Sequence, residues 1–488
     1  MDSKLKTALT GCLVISMSAV AYFYGTGLHP RGYLTWIAPL PVLMFALRNS
    51  RRWAALTAFL AFSLGGLNML HYYRQVTPLL VTLVIVLVPA AFLAGIVVVF
   101  STFARRGQLV RATFAVPLLW VALEYVSETI SPHSTFGNLA YTQMDFLPIL
   151  QIVSITGIWS ISFLLFLFPA SIATLIMPQG RRRQKAVIAV ATVGILCGVL
   201  LFGWHRLHQV PKGKSVTVGL IASDATEFAR GPQAVELVRS YAAQVRSLAT
   251  KGAEVVVIPE KIGIFSEAEV AASDQILANA AKSHEVTIVA GLQHLPNLNE
   301  LRIYGPEGRF QAAYEKHHML PIFEGDLVSG KARVNMDMPS GRWGFAICKD
   351  MDFPKLSREY GRDGAGLLIV PAWDFVQDGW LHGRMAILRG VESGFSIARA
   401  PRMGILTATD SRGRIIAEQQ TGKSTFSTVV ATLPVANQQT FYARNGDWFA
   451  WLDTALAVLL MLSLLSRPRR AVLARRTEAP SNAEEFTI

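Results

Sequence analysis

Residues 78–103 read PLLVTLVIVLVPAAFLAGIVVVFSTF, twenty-six positions without one charged side chain. About 20 helical residues cross the roughly 30 Å hydrocarbon core of a bilayer. In lipid every backbone N–H and C=O must be satisfied inside the segment, which a helix does by itself. The run is therefore a membrane span, and it sets the reading of its neighbours. Comparable apolar runs lie at 7–25, 33–48, 53–72, 112–130, 152–177, 186–204 and 448–466, about eight spans in all, with 33–48 the shortest. Composition agrees, with 52% hydrophobic and 16% charged residues, as expected of a membrane protein. At 488 residues the chain also exceeds one hydrophobic core, so more than one unit is expected.

Between 211 and 440 the pattern changes. Short β-rich runs, Val216–Ile221, Val255–Ile258, Thr287–Ala290, Trp343–Ile347, Gly366–Val370 and Gly404–Ala408, alternate with helical periodicities at Gln233–Thr250, Glu267–Ser283, Pro354–Gly361 and Trp380–Glu392. Strand and helix in alternation predict an α/β domain whose sheets are covered by helices. Catalytic groups in such domains stand where strands give way to loops.

Basic residues orient the spans, because Lys and Arg beside spans stay cytoplasmic. Lys4, Lys6, Arg48, Arg51, Arg52, Arg105, Arg106, Arg111, Arg181, Arg182, Arg183, Lys185, Arg467, Arg469, Arg470, Arg475 and Arg476 all fall on one side of an eight-span arrangement. The opposite short loops hold only Arg31 and Arg74. Both termini are thus expected in the cytoplasm. The organisation expected is a bundle of seven helices over 1–210, an α/β domain over 211–440 outside the cytoplasmic membrane, which in a bacterium is the periplasmic face of the inner membrane, and a last span with a polar cytoplasmic tail over 441–488. The N-terminal run is read as an uncleaved span, since it stays apolar to Tyr24 and further spans follow. The net charge of +13 belongs to span flanks and lacks the basic, aromatic-laced face of a nucleic-acid binder.

Three ionisable residues stand at strand ends: Glu260 after Val255–Ile258, Lys316 after a short segment at 312–315, and Cys348 after Trp343–Ile347. A thiolate is a strong nucleophile, a carboxylate can take its proton, and an ammonium can hold the oxyanion of a tetrahedral intermediate. Spacing alone leaves the plain alternatives open, a buried structural cysteine and two solvated charges. Cys12 and Cys197 lie in apolar runs, where a thiol is a small hydrophobe. The absence of a CxxC pair argues against structural zinc, and His71 and His133 have no ligand-like spacing, so no metal or cofactor is expected.

The motifs themselves, Ile258-Pro259-Glu260, Tyr314-Glu315-Lys316-His317-His318-Met319-Leu320-Pro321 and Ile347-Cys348-Lys349-Asp350-Met351-Asp352-Phe353-Pro354, resemble the nitrilase, or carbon–nitrogen hydrolase, family. With spans on both sides, and with Gly137–Gln143, Arg384–Glu392 and Phe441–Trp448, nearly the whole chain resembles that family's membrane branch, the apolipoprotein N-acyltransferases. The resemblance implies an α-β-β-α sandwich in which Cys348 is nucleophile, Glu260 general base and Lys316 oxyanion stabiliser, with Glu324 in support. It further implies ping-pong acyl transfer from a phospholipid, through a Cys thioester, to the amino group of a diacylglyceryl-cysteine at a lipoprotein N-terminus, by a monomer.

This chain departs from the family pattern at Lys349-Asp350, where Tyr-Glu is common, at Val370-Pro371, where Asn-Asp is usual, and at Lys261. Asp350 is read as the replacing acid, Lys349 as a cation able to lower the Cys348 pKa, and Trp373 as a substrate-side residue. The acceptor therefore stays open: a membrane-anchored amidase would resolve the thioester with water. A sensor or transporter with an inactive domain would carry paired charges within its spans, and few are present. Apolar loop residues Ile264, Phe265, Ile322, Phe323, Trp373, Phe375 and Trp380 either meet the bilayer or pack the domain onto the spans. Glu124 and Glu128, one helical turn apart, are intramembrane acids or simply interfacial ones.

Overall fold

A computed structural model describes residues 3–178, 180–209, 213–226, 228–422 and 426–465. The expected basic cluster Arg467, Arg469, Arg470, Arg475 and Arg476, the tail after it and the domain boundary at 211 lie outside those residues. The helices are α1 (Ser3–Gly25), α2 (Leu40–Arg48), α3 (Arg51–Gly65), α4 (Leu70–Val76), α5 (Leu79–Arg105), α6 (Leu109–Ile130), α7 (Leu147–Leu150), α8 (Val153–Thr156), α9 (Trp159–Leu175), α10 (Arg182–His208), α11 (Pro232–Ala249), α12 (Glu267–His284), α13 (Pro354–Arg362), α14 (Gly379–Ser393), α15 (Phe441–Asn445) and α16 (Trp448–Leu465). The strands are β1 (Lys214–Ala222), β2 (Val255–Ile258), β3 (Ile264–Phe265), β4 (Thr287–His294), β5 (Leu298–Tyr304), β6 (Phe310–Glu315), β7 (Asn335–Met338), β8 (Gly341–Phe345), β9 (Leu367–Trp373), β10 (Ser396–Arg402), β11 (Ile405–Thr409), β12 (Ile415–Gln420) and β13 (Ser427–Val435).

Among the described residues six helical segments are long and apolar enough to cross a membrane: Lys4–Gly25, Arg51–Val76, α5, α6, α10 and α16. The runs at 33–48 and 152–177, read as full spans, are shorter helices. The first is interrupted before α2, where Pro39 and Pro41 bracket the helix start and proline can donate no helical N–H. The second is split between α8 and α9 at Gly157, whose φ of 70° is left-handed and ends a helix readily.

The α/β domain is built from two sheets, in the orders β13-β1-β2-β4-β5-β6, with β3 also on β4, and β12-β11-β10-β9-β8-β7. The pairs β1/β2, β2/β4, β8/β9 and β9/β10 are parallel. Alternation along each strand decides the layers, since successive side chains face opposite ways. Val216, Val218 and Leu220 of β1, and Val255 and Val257 of β2, point into the space between the sheets with Phe345, Leu367, Ile369, Ala398 and Ala400. Val256, Ile258, Ile288 and Ala290 face outward onto α11 and α12. Leu368, Val370 and Ile397 face outward on the other side, against Leu356, Tyr360 and Ala386 of α13 and α14. The result is the α-β-β-α sandwich, a nitrilase-type fold.

Helix α14 decides how this sandwich sits on the bundle. While Ala386 packs on the second sheet, Leu381, Met385, Leu388 and Val391 join the hydrophobic core of the bundle helices. A helix apolar on both faces must be enclosed on both. Polar bonds fasten the same junction. The Tyr72 hydroxyl donates to Asp378 Oδ2 at 2.7 Å, Arg389 donates to the Tyr141 hydroxyl at 3.0 Å, and the Trp159 indole donates to Asp447 Oδ1 at 2.9 Å.

Candidate active site

Parallel β2 ends at Ile258, and Pro259 turns the chain so that Glu260 lies over the strand ends, 1% exposed. Gly291 on β4 makes room: a Cβ there would stand 2.5 Å from the Glu260 Cα and 2.5 Å from the Pro259 carbonyl oxygen. Lys316 follows the last residue of β6, and its backbone N–H donates to the Asn299 carbonyl at 2.8 Å. Its ammonium donates to Glu260 Oε1 at 2.8 Å and to Glu324 Oε2 at 2.8 Å. The Asn299 side-chain amide bridges the same two carboxylates, at 2.7 Å to Glu260 and 3.0 Å to Glu324. Lys261 closes the cluster on Glu324 Oε1 at 2.6 Å. Two carboxylates and two ammonium groups are thus paired, with the Asn299 amide N–H groups bridging the carboxylates, as buried charges must be.

Burial alone would pull the Lys316 pKa down, but Glu260, Glu324 and Cys348 together hold it well above the ordinary lysine value. Burial would raise Glu324, yet Lys316 and Lys261 draw it down to about 2. Glu324 is therefore a fixed negative charge that anchors the Lys316 ammonium.

Cys348 opens the 3-10 turn Cys348–Asp352 after β8. Its φ of 43° lies in the left-handed region, where a non-glycine residue is strained and which functional sites use to present a side chain. The thiol donates to the Trp373 carbonyl at 3.5 Å, at the end of β9. Burial pushes the thiol pKa well up; Glu260 adds to the rise and Lys316 opposes it. Both charges therefore act on the sulfur, and the structure brings Glu260, Lys316, Glu324 and Cys348 into one site. A thiol held this way stays protonated at rest, so nucleophilic attack needs a base to take the proton as the bond forms.

Lys349 does not serve the thiol. It bonds to Asp352 Oδ2 at 2.8 Å and His133 Nδ1 at 3.2 Å, while the charges that oppose the rise of the Cys348 pKa are chiefly Lys316 and then Arg399. Asp350 is fully buried and works on the backbone. It accepts from the Tyr314 hydroxyl at 2.7 Å, from Ile347 N at 3.0 Å, and from His317 N and His318 N at 3.2 and 2.9 Å. That clamp ties the cysteine turn to the lysine loop. The Trp373 ring lies under the Arg402 guanidinium, 4.4 Å away, and the Lys261 ammonium, 5.4 Å away.

Three further residues escaped the sequence reading. Asn299 is an ordinary strand residue in the sequence. Asp374 and Arg399 form a buried bidentate pair at 2.5 and 2.8 Å, and both carry charge close enough to act on Cys348. Nothing local in the sequence marks Arg399 in the middle of β10. The apolar loop residues differ in burial. Ile322 and Phe323 are 72% and 51% exposed, whereas Trp380 packs against the bundle core and Ile264 and Phe265 are buried.

Residues 18–171 match the model of the apolipoprotein N-acyltransferase N-terminal domain, and 221–441 match that of carbon–nitrogen hydrolase. A Geobacter metallireducens protein named apolipoprotein N-acyltransferase is 27% identical over 90% of this chain and 91% of its own length. The chain is similar over nearly its whole length to the apolipoprotein N-acyltransferases. It is thereby an acyltransferase of the carbon–nitrogen hydrolase superfamily. A Thermotoga maritima apolipoprotein N-acyltransferase is 24% identical over 88% of each chain. Among solved structures, an amidase from Nesterenkonia sp. AN1 is similar at a TM-score of 0.42 and 18% identity, over 49% of this chain and 95% of that one.

Proposed function

We propose that this protein moves an acyl chain from a phospholipid to the N-terminal amino group of a diacylglyceryl-cysteine. Glu260 takes the Cys348 proton as sulfur attacks the phospholipid ester carbonyl. The Lys316 ammonium, anchored by Glu324, stabilises the oxyanion. Collapse breaks the ester C–O bond, and the proton from Glu260 leaves with the lysophospholipid. The acceptor amine then attacks the thioester, an amide forms, and the thiol recovers its proton. The single observation that carries this reading is the convergence of Glu260, Lys316 and Cys348 at adjoining strand ends. The membrane setting supports it, since both substrates hold acyl chains that do not leave the bilayer unaided.

The organisation proposed with it is a bundle over 1–210, the catalytic domain over 211–440 on the periplasmic side of a bacterial inner membrane, and a last span within 441–488, acting as a monomer. The test is intact mass of the purified protein after mixing with phospholipid, followed by a diacylated lipopeptide. An acyl adduct that is absent in Cys348→Ala and discharges onto the peptide amine is expected. Discharge to free fatty acid alone would replace acyl transfer with hydrolysis, and no adduct at all would end the thioester reading.

A further inference from the structure

Helix α10 leaves one stripe uncovered along its length. Val190, Val193, Cys197, Leu201, Trp204 and His208 recur every three or four residues and so share a face, and all are exposed. In a span such a face meets acyl chains, and Trp204 stands where an interfacial aromatic is expected. The hairpin of β11 and β12 docks on this end of α10. The Gln151 amide donates to the Arg412 carbonyl at 2.9 Å, and Arg414 donates to the Leu207 carbonyl. Three guanidinium groups, of Arg206, Arg412 and Arg414, meet Asp410 at the junction. Asp410 Oδ1 accepts from the backbone N–H groups of Arg412 and Arg414 at 2.8 and 3.0 Å, and Oδ2 pairs with Arg414 at 3.4 Å. Arg206, 6% exposed, bonds to neutral acceptors, Gln151 Oε1 at 2.6 Å and the Val391 carbonyl at 3.5 Å. Arg412, 3% exposed, reaches the Gln209 amide oxygen at 3.3 Å, and its Nε has no hydrogen-bond partner. Among the described residues neither Arg206 nor Arg412 forms a salt bridge.

Buried cations are stable beside anions, and here two of them are held by neutral amide oxygens instead. The outer side of the junction is open to an anion. The Arg414 side chain is 38% exposed, and His208 and Gln209 are exposed beside it. The Gln209 amide covers Arg412 from that side through a bond longer than the ordinary N–H···O range, so an incoming oxygen can replace it. A phosphodiester presents two oxygens in the geometry a guanidinium fork accepts. Ile415 and Ile416, 40% and 47% exposed, continue the apolar surface past Arg414. We infer that the end of α10 and the β11–β12 hairpin form a headgroup seat for an anionic phospholipid, whose acyl chain lies along the α10 stripe. The seat shares no residue with the Cys348 site, and its occupant holds the α/β domain to the bilayer surface. A zwitterionic lipid carries the same phosphate with an ammonium of its own, so the excess of guanidinium charge favours the anionic one.

Binding is read on the full-length Cys348→Ala chain in detergent, so that turnover plays no part and the result is independent of the acyl-transfer reading. Native mass spectrometry compares retention of phosphatidylglycerol with that of phosphatidylethanolamine carrying the same chains. A preference of about tenfold or more for phosphatidylglycerol is expected, the size of one charge-assisted hydrogen bond. Arg412→Gln together with Arg414→Gln should abolish it. Gln209→Glu, an exposed change that supplies the missing carboxylate to Arg412, should abolish it as well, and it keeps the test open should the double variant fail to fold. Equal retention of the two lipids by the parent, or a preference that survives Gln209→Glu, overturns the inference. Inorganic phosphate in excess should leave the lipid bound, because it brings no chain for the stripe. Full displacement by phosphate overturns the assignment to a lipid.

Discussion

Lys349, the residue after Cys348, reaches across to His133 at 3.2 Å while pairing with Asp352 at 2.8 Å. His133 belongs to the loop after α6, so this contact joins the cysteine turn to the helical bundle. Burial first, and then the Lys349 charge, lower the His133 pKa to about 4, so at neutral pH the imidazole is an uncharged acceptor for the ammonium.

Replacing Lys349 with Met leaves buried Asp352 with only the more distant His382 Nδ1, 3.9 Å away, as a cationic partner, with Lys349 and Asp352 side chains only 4% and 2% exposed in the parent. Removing one partner of such a pair costs about 3 kcal/mol. Melting followed by intrinsic fluorescence should show a clearly lower midpoint. An unchanged midpoint would mean the pair contributes nothing to docking.

The raised Cys348 thiol makes a kinetic prediction. Only the thiolate is alkylated, and burial holds this thiol above its ordinary value of 9.0. Iodoacetamide labelling, followed by intact mass, should be slow at neutral pH and still accelerate beyond pH 9. A rate that levels off near pH 7 would reveal a preformed thiolate and remove the need for Glu260 as base.

Glu324 sets an acid limit on stability. Its folded pKa of about 2 lies below its ordinary 4.5, so its contribution is fully present above about pH 4.5 and is lost as pH falls toward 2. The size is on the order of 3 kcal/mol. Lys316, raised above its ordinary 10.5, behaves oppositely: its contribution is complete below that value and is lost at still higher pH. Glu324→Gln should flatten the acid limb in urea unfolding between pH 2 and 5. An acid limb as steep as the parent's would place its origin elsewhere.

Gly291→Ala tests the positioning of Glu260. The new Cβ would meet backbone atoms at 2.5 Å, a distance that backbone movement alone can relieve, at about 1 to 3 kcal/mol. Acyl transfer should fall by roughly a hundredfold, the scale of a misplaced general base, while the chain stays folded and Cys348 stays alkylatable. Parent-level turnover would show that Glu260 needs no such closeness.

How much of this was legible in the sequence depends on how local each feature is. Strand β2 begins and ends where its run of β-branched residues does, and α13 and α14 follow their periodicity. The strand-end positions of Glu260, Lys316 and Cys348 were equally visible. The broken spans at 33–48 and 152–177 were not, because hydropathy averages over Pro39, Pro41 and Gly157, whose backbone geometry decides the helix ends. Asn299 and Arg399 were invisible as well, being polar residues within strands whose partners lie 39 and 25 positions away.

The order of residues thus determined by itself which segments seek lipid, which alternate as strands and helices, and which ionisable groups terminate strands. These follow from hydrophobicity and backbone period, properties carried by neighbours along the chain. Tertiary structure alone decided where each charge points: Lys349 to Asp352 and His133, and Lys316 between two carboxylates 56 and 8 residues distant. The physical reason is that a buried charge is stable only where opposite charges and hydrogen bonds surround it, and those come from strands and loops that only folding brings together.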